Sequence, residues 1–443
     1  MFRAVARIFR TPDLRRKIGF TLLMIALFRL GSFIPSPFVD FSHVQTCLAS
    51  QSDTAGLYQL VNLFSGGALL QLSVFALGIM PYITASIIVQ LLRVVIPHFD
   101  TLYKEGQAGQ SKLTQYTRYL TIALGILQST TLITVARSGA LFGSNTSVPE
   151  CQELITDDSW YAIVLMVITM TAGTGIIMWM GELVTERGVG NGMSILIFTS
   201  ITARFPTYFQ TILTGKNPNY GLFIGVLAIG ILIMGAVVFV EQSQRRIPVQ
   251  YAKRMVGRRT YGGNNTYIPI KVNMAGVIPV IFASSLLYLP ALIAQFNTPA
   301  AGKSPAPWVQ WITDNLTKGD NPLYMLLYFI LIIGFTYFYV AITFNPEEVA
   351  DNMKKYGGFI PGIRAGRPTA EYLDYVLTRI TLPGSLYLGI VALIPLVLLG
   401  AAGAANDFPF GGTSLLIIVG VGLETVKQID SQLQQRHYEG LLR

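Results

Sequence analysis

The chain carries little charge. Only 12% of its 443 residues are Asp, Glu, Lys or Arg, and 52% are hydrophobic. Soluble domains carry about 25% charged residues, so this deficit excludes an ordinary soluble protein and indicates an integral membrane protein. The basic segment 1–17 leads into a full-length apolar run without a small-residue cleavage site, and we expect this first span to be retained rather than removed as a signal peptide.

Residues that commonly bind metals or form disulfides are scarce. The three histidines, His43, His98 and His437, are scattered over predicted loops and the tail without the spacing of a metal site. We therefore expect no metal and no cofactor. Cys47 and Cys151 both fall on the predicted outer side, where a disulfide and two free thiols are both compatible with the sequence.

The predicted membrane spans are nearly free of ionisable side chains. Ion-coupled transporters usually keep such groups near the bilayer midplane, and intramembrane proteases need an Asp pair or a Ser with a His. Arg29 is the one clearly embedded charge, close to the outer end of its span, where a snorkelling or paired structural role is favoured over a functional one. Both classes are thereby disfavoured, and we expect a protein that is not an enzyme.

Long apolar runs predict ten membrane spans. They lie at about 18–36, 73–95, 115–136, 159–180, 193–212, 220–241, 273–296, 323–344, 377–402 and 412–429. Loops on one side hold 26 Lys and Arg residues against five on the other, which places both termini in the cytoplasm. Five spans precede the loop 213–219 and five follow it, so the halves 1–212 and 213–443 have opposite orientations.

The second apolar run is too long for a single span. Residues 62–92 read NLFSGGALLQLSVFALGIMPYITASIIVQLL, and Gly66-Gly67 interrupts helical continuity early in it. We expect a short apolar piece that ends near Leu70 and a separate span from about Ser73. A hydrophobic element that does not span normally needs protein around it rather than lipid. This predicts a stopper inside a channel.

Three predicted cytoplasmic loops are long: 97–114, 242–272 and 345–376. The second interleaves seven basic residues with tyrosines, a mixture that binds RNA through phosphate contacts and stacking. The same charges can instead fix topology and contact lipid headgroups. Charge alone favours this second interpretation, whereas the length of the loop favours a partner surface.

Five long segments resemble the SecY family, the channel subunit of the bacterial protein translocase. They are NLFSGGALLQLSVFALGIMPYITASIIVQLL, ERGVGNGMSILIF, KVNMAGVIPVIFASS, NPEEVADNMKKYGGFIPGIRAGRPT and FGGTSLLI, and they follow the family's order. The resemblance implies an all-α membrane protein whose two five-helix halves surround an hourglass pore. It implies a protein-conducting channel that exports unfolded secretory polypeptides and releases transmembrane segments laterally.

The resemblance also assigns site residues. Its constriction ring falls on Ile79, Ile83, Ile197, Ile201, Ile281 and Ile417. Its plug falls on about 57–70 and includes Asn62, Phe64, Ser65, Gly66 and Gly67. Its lateral gate, between spans two and seven, includes Thr84, Gln90 and Asn273. Its docking sites for the ribosome and the SecA motor fall on Lys253, Arg254, Arg258, Arg259 and Arg364.

The spacing and stiffness of the isoleucines are compatible with a constriction ring but do not by themselves identify one. Ile79 and Ile83, like Ile197 and Ile201, are four residues apart and so share a helix face, and their β-branched side chains are stiff. By spacing alone, such isoleucines would face lipid or neighbouring helices. The rival class, a secondary transporter built from inverted repeats, would need the embedded carboxylates that this sequence lacks.

The resemblance further implies the partners and the location. The partners are the small subunits SecE and SecG, the SecA ATPase, the ribosome, preproteins with their signal sequences, and membrane lipids. The expected location is the bacterial cytoplasmic membrane.

Overall fold

The structure is a computed structural model. It describes residues 11–44, 65–137, 154–157, 159–206, 210, 220–251, 254–256, 259–261, 266–296, 306–317, 321–401 and 412–439. The predicted site residues Asn62, Phe64, Lys253 and Arg258 lie outside the described residues, as do Cys47 and Cys151.

The described residues are mainly helical, and helices occupy all ten positions at which spans are predicted. In chain order the helices are α1 Pro12–Phe33, α2 Met80–Val95, α3 Pro97–Lys104, α4 Gln107–Arg137, α5 Trp160–Arg187, α6 Gly192–Thr202, α7 Tyr220–Gln242, α8 Ile278–Phe296, α9 Pro307–Ile312, α10 Pro322–Thr343, α11 Pro346–Lys355, α12 Arg367–Ala401 and α13 Gly412–Glu439. By length and composition, four helical stretches within the described residues can cross a membrane, or five if the bent pair α2–α3 counts as one span. The count of ten spans stays a prediction.

The second span begins later than the sequence predicts. Residues 65–79 form consecutive turns, and helix α2 begins at Met80 rather than near Ser73. The backbone of this turn segment pairs with the end of α1, where the Val74 amide donates to the Ile34 carbonyl at 2.9 Å. This contact joins residues far apart in the chain, so local apolar periodicity does not reveal it.

Backbone conformation keeps the turn segment out of a helix. Leu72 has a φ of 47° and Gly78 a φ of 56°. Left-handed residues interrupt a right-handed helix, and a leucine adopts that conformation only where its surroundings compensate. Leu72 is fully buried and its carbonyl accepts from the Ser36 amide at 3.0 Å, which supplies that compensation.

Other helix ends differ because apolar length predicts only the membrane part of a helix. Helix α4 begins at Gln107 rather than 115, and α12 begins at Arg367 rather than 377. Both extensions are rich in polar residues, including Gln, Lys, Arg and Glu, several of which favour helix. The fifth predicted span, in contrast, is helical only to Thr202 before a turn.

The long loops contain strands that the sequence interpretation does not include. They are β1 Gln244–Tyr251, β2 Arg254–Val256, β3 Arg259–Tyr261, β4 Thr266–Lys271 and β5 Gly358–Phe359. One sheet has the order β4-β1-β5 and is antiparallel, with Ile247 opposite Ile268 and Gln250 opposite Phe359. This sheet therefore joins the predicted loops 242–272 and 345–376.

Apolar side chains gather into clusters that follow the two predicted halves. One cluster draws on residues 44–170 and another on residues 233–419. A third, here called the central cluster, contains residues of both halves, from Met24 and Phe28 in α1 to Ile417 in α13. The central cluster is thus where the halves meet, and it is the natural place for a site shared by both.

Candidate functional site

All six isoleucines of the predicted ring lie in the central cluster. Five are buried and the sixth, Ile83, is partly buried against them. They come from the start of α2 and from α6, α8 and α13: Ile79, Ile83, Ile197, Ile201, Ile281 and Ile417. Residues separated by more than 300 positions in sequence are therefore brought together, while their role as a constriction stays a prediction.

Helix α6 is positioned by the glycine-rich turn that precedes it. The Asn191 side chain caps the helix by accepting hydrogen bonds from the amides of Met193 and Ser194 at 3.1 and 3.4 Å. The Gly192 amide donates to the Thr185 hydroxyl at 2.9 Å. A Cβ on Gly192 would lie only 2.8 Å from the Val184 Cβ, so glycine permits α5 and α6 to pack closely.

A cavity of 440 Å³ lies against the central cluster. Ile83, Ile197 and Ile281 of the predicted ring form part of its wall. Its polar wall includes Arg118 and Glu182, which form a bidentate ion pair with N–O distances of 2.9 and 2.7 Å. The cavity thus has an apolar side at the predicted ring and a charged side at the predicted cytoplasmic ends of α4 and α5.

Helix α6 contributes residues to the cavity wall, to the predicted ring and to a contact with the glycine pair. Its first turn, at Met193 and Ser194, lines the cavity. Ile197 and Ile201 follow in the central cluster, and Ser200 lies against Gly66, since a Cβ on Gly66 would be 3.3 Å from the Ser200 Cα. One helix therefore contributes to the cavity wall, to the predicted ring and to the contact with Gly66, and Ser200 lies between Ile197 and Ile201.

The described part of the predicted plug is buried. Ser65 is 0% exposed, and its hydroxyl accepts from the Leu69 amide at 3.1 Å. Gly66 and Gly67 have φ values of 67° and 97°, the left-handed region that favours glycine. The Gly66 carbonyl accepts from the Arg29 guanidinium at 3.0 Å, which gives the embedded arginine a partner 37 residues away.

The three predicted gate residues do not pair with one another among the described hydrogen bonds. The Thr84 hydroxyl donates to the Met80 carbonyl of its own helix at 3.0 Å. Gln90 is exposed and lines the cavity. Asn273 is buried in the connector before α8 and donates to Glu241 at 2.5 Å and to the Gly276 carbonyl at 3.1 Å. Their role in a gate stays a prediction.

Among the predicted docking residues, Arg364 has a described side chain. It is exposed on a turn between Gly362 and Gly366, whose φ values are 85° and 107°. The Arg364 carbonyl accepts from the Thr369 hydroxyl at 2.8 Å, which fixes the turn to the start of α12. Arg254 and Arg259 lie in β2 and β3, whose backbone alone is described.

Ionic contacts hold the bend between α2 and α3. Asp100 lies 2.7 Å from the Lys104 ammonium and 3.9 Å from the Arg93 guanidinium, which stacks on the Tyr103 ring. The hydrogen bond from Lys104, together with these two positive charges, lowers the pKa of the Asp100 carboxyl. Within the part of the chain that the structure describes, no group of three His, Cys, Asp or Glu side chains is placed to hold a metal.

Sequence reasoning missed the contacts that Arg29 and Arg204 make with the glycine pair. The guanidinium of Arg204 lies directly against Gly67, where a Cβ in place of the glycine hydrogen would be 2.6 Å from the Cζ. The signal in the sequence was the position of an arginine inside an apolar span, because such a charge usually needs a partner. The identity of that partner depends on tertiary contacts.

Sequence comparison places this chain among translocase subunits. A profile of the family described as SecY matches residues 73–426. The chain is 64% identical over 448 residues to the protein translocase subunit SecY of Streptomyces galbus. It is 60% identical over 444 residues to that of Micrococcus luteus and 58% identical over 448 residues to that of Mycobacterium bovis. Each alignment covers 100% of both proteins, so the likeness extends over the whole chain.

Structural comparison supports the same fold. A solved protein conducting channel matches with a TM-score of 0.63 at 18% identity, over 94% of this chain and 91% of that one. Sec61 in the canine ribosome-channel complex from the endoplasmic reticulum matches with a TM-score of 0.59 at 16% identity, over the same shares of 94% and 91%. These matches confirm a channel-type helical membrane fold and the resemblance found in the sequence.

Proposed function

The chain belongs to the SecY family of protein translocase subunits, and from this premise we propose that it is a protein-conducting channel of the bacterial cytoplasmic membrane. Unfolded secretory polypeptides cross the membrane through it, and transmembrane segments leave it sideways into the bilayer. Its ten spans form two inverted halves, 1–212 and 213–443, around an hourglass pore, with both termini in the cytoplasm. Lys and Arg residues support this orientation because they are concentrated on one predicted side.

One observation carries the proposal: six isoleucines from both halves meet in the central cluster, beside a cavity. A narrow ring of aliphatic side chains resists wetting, so ions and small solutes are blocked. Dispersion contacts have no fixed direction, so the ring can open around any extended polypeptide and close again behind it. The channel itself performs no catalysis, and its driving force comes from a partner ATPase or from translation.

The predicted plug supplies a second layer of closure. Residues 57–70 act as a plug on the outer side of the ring, as in the family. Helix α6 supports this arrangement, because its first turn lines the cavity, whereas Ser200 near its end contacts Gly66. Gly66 and Gly67 give the plug its sharp turn.

Lateral release takes place at the seam between α2 and α8. The cavity wall supports this position, since it includes Ile87 and Gln90 of α2 and Ile278 and Phe282 of α8. Thr84, Gln90 and Asn273 are the polar side chains that the resemblance assigns to this seam, although Thr84 and Asn273 make their described hydrogen bonds elsewhere. Interhelical polar contacts in membranes stabilise by about 0.6 to 2 kcal/mol each, which is enough to close a seam that a signal sequence can still open.

The basic loops receive the partners that drive transport. Arg364 and the basic residues Lys253, Arg254, Arg258 and Arg259 bind ribosomal RNA phosphates or acidic surfaces of the SecA motor. The exposure of Arg364 and the β1–β5 pairing that joins the two loops support one common docking surface. The small subunits SecE and SecG complete the channel within the membrane, where lipids surround it.

Reconstitution into lipid vesicles tests the proposed function. The chain is inserted with SecE and SecG, and SecA, ATP and a radiolabelled precursor are added outside. We expect ATP-dependent protection of the precursor from added protease, and none in vesicles that lack the chain. Precursor that binds to the vesicles and stays fully protease-sensitive would contradict the proposal.

A further inference from the structure

The guanidinium groups of two arginines lie against the glycine pair of the turn segment. Arg29 of α1 donates from its Nη1 to the Gly66 carbonyl at 3.0 Å. Arg204, just after the end of α6, lies with its guanidinium against Gly67, where a Cβ would meet the Cζ at 2.6 Å and the Nε at 2.7 Å. The glycine pair therefore contacts two guanidinium groups, that of Arg29 through a hydrogen bond and that of Arg204 through close packing.

The Arg29 contact is unusual for a charge in an apolar span. Its guanidinium is half-buried and stacks at 5.0 Å on the Phe33 ring. Among the described residues it has no carboxylate within ion-pair distance, and its recorded hydrogen bond goes to a backbone carbonyl. A hydrogen bond from a charged donor is shorter and stronger than one between neutral groups, so this carbonyl is a substantial partner for the charge.

Both contacts depend on the absence of a side chain at positions 66 and 67. Gly67 leaves the space that the Arg204 guanidinium fills, because any side chain there would overlap it. Gly66 has a φ of 67°, and this conformation presents its carbonyl to Arg29 without the strain that another residue would carry.

Arg204 is linked to the predicted ring through the backbone. Its amide donates to the Ile201 carbonyl at 3.2 Å, and the Ala203 amide donates to the Thr199 carbonyl at 3.0 Å. Ile201 belongs to the central cluster. A displacement of α6 that widens the ring would therefore carry Arg204 away from Gly67.

We propose that Arg29 and Arg204 form a two-arginine latch that holds Ser65–Gly67 in its seated position and releases it when α6 moves. This inference rests on the proposed role of residues 57–70 as a plug. It assigns the two arginines as positioning residues, which act on the transported polypeptide only through the plug. Movement of α6 then opens the ring and frees the plug in one step.

Labelling of a cysteine at position 65 tests the latch. Ser65→Cys is introduced together with Cys47→Ser and Cys151→Ser, and a membrane-impermeant maleimide is added from the outer face. Ser65 is 0% exposed, so slow labelling is expected in the resting channel. In Arg29→Ala and in Arg204→Ala we expect about tenfold faster labelling, a shift in population that corresponds to ~1.4 kcal/mol.

Control variants separate the latch from a general loss of packing. Arg29→Lys keeps a cationic donor and should recover part of the slow labelling. Arg137→Ala removes an exposed arginine at the end of α4 and should label like the parent. Retention of SecA-driven export by the arginine variants would show that their channel is still folded.

A variant that lacks residues 57–67 distinguishes failure of the latch from failure of the plug. Its resting ion conductance is compared with that of the parent. If this deletion raises conductance while the arginine variants label at the parental rate, the latch is wrong and the plug stands. If the deletion leaves conductance at the parental level, the plug role is wrong and the latch is overturned with it.

Discussion

The centre of the molecule and its basic loops use opposite chemistry. The central cluster consists mainly of buried aliphatic side chains from both halves. The surface around β1, β4 and β5 instead carries exposed basic and aromatic side chains, including Arg364 and the Arg246–Tyr267 stack at 4.8 Å. In the proposed channel, the centre yields to any polypeptide, whereas the loops recognise particular partners.

The two regions differ in whether their contacts depend on the position of single side chains. Aliphatic contacts depend on volume and not on direction, so the centre can seal without selecting a sequence. Charged recognition depends on position, and here backbone pairing and a turn bounded by glycines of positive φ fix the position of Arg364. Substitutions in the two regions should therefore impair different properties.

The largest effect is expected from the central cluster. We predict that Ile83→Gly with Ile197→Gly raises the resting ion conductance several-fold, because the widened ring becomes wet. Single-channel recording in planar bilayers measures this change.

The matched control replaces exposed isoleucines. Ile168 and Ile231 are 60% and 57% exposed, and their double replacement by Gly should leave the resting conductance unchanged. Equal leak in the two double variants would show that lost helix stability, rather than the ring, causes the leak.

A loop substitution should leave the seal intact and impair docking. We predict that Arg364→Glu lowers SecA-driven export about tenfold, since reversing a charge at a docking site replaces attraction with repulsion. Resting conductance should stay at the parental level. Transport into inverted membrane vesicles gives the export rate.

Arg367 provides the comparison for Arg364. It is exposed three residues away and pairs with Glu371 on its own helix at 3.2 Å. Arg367→Glu should reduce export much less. Normal export by a well-expressed Arg364→Glu variant would exclude Arg364 from the docking surface.

The smallest effect is expected at the ion pair between the two regions. Arg118→Gln removes the ion pair with Glu182 at the cavity wall without adding a second carboxylate. The Arg118 side chain is 47% exposed, so the loss of stability should be about 0.2 to 1 kcal/mol. Thermal unfolding in detergent should show a slightly lower midpoint, and the double variant Arg118→Glu with Glu182→Arg should recover it. A double variant no more stable than the single one would show that the pair does not contribute.

The positions of the helices could be predicted because membrane spans need long apolar runs. The start of α2 could not, because Val74 binds the Ile34 carbonyl of a distant segment. The strands of the loop 242–272 were also missed. Their signal was the alternation that buries Ile247 and Val249, but prolines and basic residues interrupt it.

The candidate site, too, could be predicted from the sequence only in part. Spacing alone could pair Ile79 with Ile83, but only the resemblance could choose Ile281 and Ile417 among many isoleucines. The embedded position of Arg29 was visible in the sequence, whereas its bond to Gly66 depends on how α1 packs against the turn segment. Tertiary contacts between distant segments account for what sequence reasoning could not supply.

Site-specific photocrosslinking from position 197 tests whether polypeptide passes through the central cluster. A photoreactive residue replaces Ile197 in membranes that contain SecA and a stalled precursor, and position 168 serves as the exposed control. We expect an ATP-dependent adduct with the precursor at position 197 and none at position 168. Adducts confined to the cytoplasmic loops would contradict passage through the central cluster and would favour a receptor without a pore.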